Sequence, residues 1–136
     1  MSIGFILLLF LRNTGAIADD FQKGLGLAQS GNYMAAAEIW SPLAEQGDAC
    51  AQFELGVLYL LGKGVEKDVS KALRLHMQSA KNGKVKAQVQ LGHTLEDGEG
   101  VLVDHKSSLK WYLLAAEAGH INAQYELANK YARGAA

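Results

Sequence analysis

The chain has 136 residues, 49% of them hydrophobic, and a formal net charge of −1. That length and apolar content suit one domain with a real core, and the near-neutral charge argues against nucleic acid, whose binding draws on clustered Lys and Arg. A single cysteine, Cys50, excludes an internal disulfide framework and a Cys-based zinc cluster.

The first segment is apolar. "IGFILLLFL" at 3–11 precedes "AIA" at 16–18, which places small residues at the −3 and −1 positions of a cleavage site. It reads as a secretory signal peptide ending after Ala18, and its apolar run is too short to cross a bilayer as a helix. The absence of a Lys or Arg before the run, with Arg12 after it, departs from the usual pattern. Export predicts a secreted or periplasmic protein with no membrane insertion after signal cleavage; otherwise the chain is a cytosolic adaptor.

Residues 19–47 form the first unit, with helices expected over 19–30 and 33–46 around the tight turn in "SGNYMAAAEIW". Ala36 and Trp40 follow that turn. Pro42 removes a backbone donor inside the second helix, so a kink or an early end is expected near 40–42.

The remainder repeats. "AQFELGVLYLLGKG" at 51–64 returns as "AQVQLGHTLEDGEG" at 87–100 and, shortened, as "AQYELANKYARG" at 123–134, at a constant step of 36. Such a period marks stacked supersecondary units. In the unit 48–83, Asp48 caps a helix whose Ala51, Leu55 and Tyr59 share one face, and Gly62 ends it. After the loop "KGVEK", Asp68 caps a second helix with Ala72, Leu75 and Ala80 inward, closed by Gly83. Asp104 and Gly119 repeat these signals in 84–119. So do Gly64 and Gly100, each followed by a valine able to fold the loop back. Helices are predicted over 49–61, 69–82, 85–97, 105–118 and 122–133, which makes about seven in an all-α chain.

Small residues mark the seams. Gly56, Gly92 and Ala128 share one mid-helix register, where glycine costs roughly 1 kcal/mol relative to alanine. Keeping glycine there makes sense if a neighbouring helix approaches closely, and Ala51, Ala87 and Ala123 point the same way. One hairpin cannot bury its apolar face alone, so the units must stack. The truncated unit 120–136 is expected to act as a C-terminal capping helix, with Glu126, Lys130 and Arg133 on a partly charged exterior.

Signals of chemistry are absent. His76, His93, His105 and His120 form no i, i+4 pair, and neither a G-x-S-x-G elbow nor a phosphate-binding G-x-x-x-x-G-K-[ST] loop occurs. Glu96, Asp97 and Glu99 read as a surface patch, "KNGKVK" at 81–86 as a helix end and turn, and Cys50 as a semi-buried helix residue. His76 and Tyr112 share a register that suggests packing. No catalytic, cofactor-binding or metal-binding residue is assigned, and the chain reads as a non-enzyme.

The set Ala51, Leu55, Gly56, Tyr59, Gly62, Gly64, Val65 and Asp68 resembles the Sel-one-like repeat, a longer-looped relative of the tetratricopeptide repeat. The next unit matches it with Leu95 in place of the tyrosine, while 19–47 is closer to an ordinary tetratricopeptide unit. The resemblance implies an α/α right-handed superhelical solenoid of helix–loop–helix repeats. It also implies a non-catalytic scaffold or regulator in the bacterial envelope, binding a protein or peptide in a concave groove, with a monomer expected. Carried over by register, the groove is Phe21, Leu25 and Ala28, then Cys50, Phe53, Val57, Leu60 and Leu61. It continues with Lys86, Val89, His93, Glu96 and Asp97, and ends with Asn122, Tyr125, Asn129 and Arg133. The alternative reading for the apolar residues of this stripe is that they fill the inner curve between helices. Some cysteine-rich members of the family are associated with β-lactam binding or hydrolysis, which makes a small β-lactam-type hydrolase the alternative, but they pair cysteines in each repeat and this chain has none to pair.

Overall fold

A computed structural model of the chain describes residues 3–98 and 100–134, with side chains from residue 15 onward. Seven helices occupy it: α1 (Ile3–Gln29), α2 (Tyr33–Glu45), α3 (Ala49–Leu61), α4 (Val69–Lys81), α5 (Val85–Asp97), α6 (His105–Glu117) and α7 (Ile121–Ala132). No strand occurs among the described residues. The extensive contacts are all between helices consecutive in the chain, which is the arrangement of a helical solenoid.

Side-chain caps mark where five of the helices start. Asn32, Asp48, Asp68 and Asp104 each accept a hydrogen bond from the backbone N–H three residues on. His120 does the same through Nδ1 for α7. At the other ends Gly62 and Gly98 adopt left-handed conformations with φ of 66° and 68°.

Two boundaries differ from the sequence-based expectation. The first helix begins at Ile3 rather than near residue 19, because no proline interrupts 3–18 and Gly15 meets no neighbour within 4 Å. The side chains of the apolar run 3–11 and of Arg12 lie outside the described residues. Nor does Pro42 end α2 early. The helix continues to Glu45, and the Gln46 N–H donates to the Pro42 carbonyl at 3.1 Å. Pro42 and Glu38 are both exposed, so the carbonyl that loses its partner lies on the solvent side, where water can satisfy it.

A ring-on-glycine seam joins each hairpin. Trp40 lies over Gly24, His76 over Gly56 and Tyr112 over Gly92, and the three rings follow at a step of 36. All three are buried. A β-carbon at Gly56 would lie 2.5 Å from His76 Cδ2, and one at Gly92 would lie 2.7 Å from Tyr112 Cε1. Trp40 Nε1 donates to the Phe21 carbonyl at 3.3 Å, and His76 Nε2 lies 3.2 Å from the Phe53 carbonyl. Gly24 breaks the 36-residue step because the turn between α1 and α2 is shorter than the loop between α3 and α4. Sequence periodicity therefore overlooked it.

A second device joins one hairpin to the next. Gln52 Nε2 donates to the Ala44 carbonyl, Gln88 Nε2 to Ala80 and Gln124 Nε2 to Ala116, at 3.1, 3.2 and 3.1 Å. Each glutamine spans from the first helix of a unit to the second helix of the unit before. Ala51, Ala87 and Ala123 beside them are fully buried, as their register predicts.

Candidate partner-binding surface

The first helix of each pair carries the stripe assigned from the sequence to a groove, and the structure divides that stripe in two. Phe21, Leu25 and Ala28 of α1 are half-buried and pack on the cluster around Trp40, with Phe21 stacked on the indole at 6.0 Å between ring centres. Phe53 of α3 packs with Leu73, Met77 and Trp111 around Ala80, Ala87 and Leu91, and stacks on His76 at 5.2 Å. Val89 of α5 packs on the cluster formed by Tyr112, Ala115, Ala123 and Leu127. These apolar members fill space between helices.

Others are more accessible. Val57 and Leu60 are half-buried and stand outside the three core clusters. Leu61, Lys86, His93, Asp97, Asn122, Tyr125 and Arg133 are exposed, and Asn129 is half-buried. Beside α1 and α3 a cleft of about 290 Å³ opens between Ile17, Ala18, Phe21, Gln22, Asp48 and Cys50. Cys50 is half-buried in the first turn of α3, as expected, and Lys84 Nζ approaches its Sγ at 3.5 Å. Among the described residues no cluster of His, Cys, Asp and Glu could hold a metal ion.

The polar end of the stripe is organised by a network absent from the sequence reading. Tyr112 Oη lies 2.8 Å from His93 Nδ1 and donates to Glu96 Oε2 at 3.3 Å. Glu96 also forms an ion pair with Lys130 of α7, whose ammonium stands 5.3 Å from the centre of the Tyr112 ring. Burial alone would raise the Glu96 carboxyl, but the hydrogen bond and charge of Lys130, with the Tyr112 hydroxyl, hold it below its usual range. Tyr112 is pushed upward by burial and by the Glu96 charge. Asp97 is exposed, and Glu99 lies outside the described residues. The 34-residue separation of Glu96 and Lys130 gave no local signal; only the packing of α7 beside α5 brings them together.

The pairing also revises the expected exterior of α7. Lys130 and Glu126 are half-buried, and of the three charges only Arg133 is exposed. Its large exposed apolar residues are Ile121, Tyr125 and Tyr131.

The sequence matches the Sel1 repeat family over residues 18–48, 51–84 and 85–120. A Sel1 repeat protein from Oxalobacter formigenes superposes with a TM-score of 0.81 at 29% identity, covering 87% of this chain and 50% of that one. The protective antigen c5321 of uropathogenic Escherichia coli, described as displaying an SLR fold, gives a TM-score of 0.78 at 30% identity, covering 90% of this chain and 27% of that one. The chain therefore spans half or less of the length of these bacterial structures. No curated protein matches it by sequence.

Proposed function

The chain belongs to the Sel1 repeat family, whose repeats build generally non-catalytic protein–protein interaction scaffolds, and on that premise we propose that it captures a peptide or protein along the α1–α3–α5–α7 stripe. One observation carries this reading. Several positions that contact a neighbouring helix keep their chemistry at the 36-residue step, as at Ala51, Ala87 and Ala123 or Gln52, Gln88 and Gln124. Val57, by contrast, is followed in register by His93 and Asn129. Along this register the solenoid changes from apolar to polar. An extended or helical ligand with an apolar end and a polar or basic end matches that gradient.

Val57 and Leu60 are the informative pair, because they lie in the stripe but outside the core clusters. Val57→Asp with Leu60→Asp should leave helicity intact and abolish capture of a partner from bacterial envelope extract. Loss of helicity in that variant would assign both residues to packing and remove the groove. A chromogenic β-lactam assay addresses the hydrolase alternative, and turnover there would replace the scaffold reading.

We place the protein in the periplasm or outside the cell, after cleavage following Ala18. The small residues Ala16 and Ala18 support this, as do Asp19 and Asp20 just beyond them. A helix starting at Asp19 would carry two acids in its first turn, where the helix dipole favours negative charge. It would keep Phe21, Gly24 and Leu25 against Trp40. Among the described residues no helix is long and apolar enough to cross a membrane. The intact mass of exported protein tests the site.

A further inference from the structure

A cleft of about 240 Å³ lies over α3 between α2 and α4, and none of the stripe residues assigned to the groove lines it. The chain builds its frame twice. Ala44, Gly47, Gln52 and Leu55 line the cleft and return at the 36-residue step as Ala80, Gly83, Gln88 and Leu91, at the seam of α4, α5 and α6. The residues around this frame do not return. At the second seam Met77 and Trp111 pack on the cluster of Ala80, Ala87 and Leu91. At the first seam their register counterparts are Ser41 and Leu75, both much smaller, and the cleft opens beside them. The rim changes as well, since Lys81, Ser107 and Leu114 correspond to Glu45, Lys71 and Gln78. One floor therefore carries an indole at one seam and a polar-rimmed opening at the other.

We propose that this cleft receives the tryptophan side chain of a partner peptide, seated over Ala44, Leu55 and Leu75 as Trp111 is seated over Ala80 and Leu91. Size, floor and rim all point to that ring. A cavity of about 150 Å³ holds benzene, so about 240 Å³ has room for the second ring of an indole. The floor residues Ala44, Leu55 and Leu75 are apolar and buried. At the rim, the exposed Glu45 and Gln78 bring a carboxylate and an amide oxygen. These accept a hydrogen bond from an indole N–H and offer a phenyl ring nothing equivalent. Lys71 contributes its aliphatic stem, because its ammonium stands over the Tyr59 ring at 4.4 Å.

The two tryptophans of this sequence do not supply the ring to a second copy. Trp40 is buried over Gly24, and Trp111 is engaged at the second seam. The site is also separate from the groove along α1, α3, α5 and α7, so it stands or falls independently of that reading.

N-acetyl-tryptophanamide, N-acetyl-phenylalaninamide and free tryptophan supply the probes, each titrated into the isotope-labelled full chain while backbone amide shifts are followed. The capped tryptophan should move the amides of Gly47, Gln52, Leu75 and Gln78 saturably, with a Kd on the order of 1 mM, and bind several-fold more tightly than the capped phenylalanine. Ser41→Met with Leu75→Trp transplants the second seam and should abolish these shifts without lowering the melting temperature. Glu45→Ala with Gln78→Ala touches only exposed residues and should remove the preference for tryptophan over phenylalanine, which tests the site even if the transplant does not fold. Val57→Asp with Leu60→Asp should leave the shifts unaltered. No saturable shift at the four amides, equal affinity for the two capped residues, or a preference that survives Glu45→Ala with Gln78→Ala would each overturn the proposal. Tighter binding of free than of capped tryptophan would overturn it too, by assigning the cleft to a small molecule.

Discussion

Tyr112 presses the edge of its ring against the helix backbone at Gly92, so closely that a β-carbon there would sit 2.7 Å from Cε1 and 2.8 Å from Cζ. The ring is fully buried and has no room to retreat. Gly92→Ala gains helix propensity of about 1 kcal/mol but forces this contact, and overpacking costs typically about 1–3 kcal/mol. Urea denaturation should show Gly92→Ala destabilised, and Gly92→Leu more so. Gly26 is the control. It also lies inside a helix, yet nothing approaches within 4 Å, so Gly26→Ala should be stabilising by up to about 1 kcal/mol. If both substitutions stabilise the chain, the tight seam does not exist.

The glutamine staples differ in one atom. Gln52 Oε1 accepts from Asn82 Nδ2 at 3.1 Å, whereas Gln88 Oε1 is buried without a partner. The residue that follows Asn82 in register is Ala118, and both hold nearly the same backbone conformation, with φ of −83° and −78°. Ala118→Asn should therefore supply the missing donor and stabilise by about 0.5–1.5 kcal/mol. Asn82→Ala should lose a similar amount by orphaning Gln52. A fall in melting temperature for Ala118→Asn would refute the equivalence.

His76 links stability to pH. Burial holds its imidazole below the ordinary value of 6.5, with the Phe53 carbonyl opposing only in part. The unfolded chain thus takes up a proton at this residue at higher pH than the folded chain does. Its contribution to stability is full above about 6.5 and drains away as pH falls from there toward the folded pKa. Thermal melts between about pH 7 and pH 5.5 should show the native chain losing stability faster than His76→Phe. Parallel slopes would mean that His76 remains ionisable in the fold. Glu96, depressed rather than raised, acts in a lower window: its contribution is present above the unfolded carboxyl value and lost as pH falls below it.

α7 is held by apolar contacts, by the Gln124 hydrogen bond to the Ala116 carbonyl and by an ion pair. Leu127 and Ala123 pack on Ala115 and Ala116, and Lys130 reaches Glu96. Lys130→Met keeps the apolar stem and removes the charge, leaving Glu96 to Tyr112 and His93. The pair is 14% and 30% exposed, so the expected loss is modest, about 1 kcal/mol. Deleting 121–136 removes all of these contacts and should lower the melting temperature much further. Equal effects from the two changes would show that the ion pair alone retains the helix.

The sequence by itself determined where most of the helices lie, though not the start of α1 or the passage of α2 through Pro42. Asp48, Asp68 and Asp104 sit where caps are needed, and Gly62, Gly83 and Gly119 where helices end, because those requirements are local and each residue type meets them within one turn. The 36-residue step likewise exposed Gly56, Gly92 and the three alanines, since a seam repeated between similar units repeats its small residues. Only the tertiary structure decided which residues stay accessible. Phe53 and Val89 look like groove residues in register but are spent on the seam between hairpins, while Tyr125, in the same register, stands exposed because nothing lies over α7. The Glu96–Lys130 pair and the orphaned oxygen of Gln88 were invisible for the same reason. Each depends on what a neighbouring helix places opposite, and that is a property of pairs distant in sequence, which no stretch of the chain records alone.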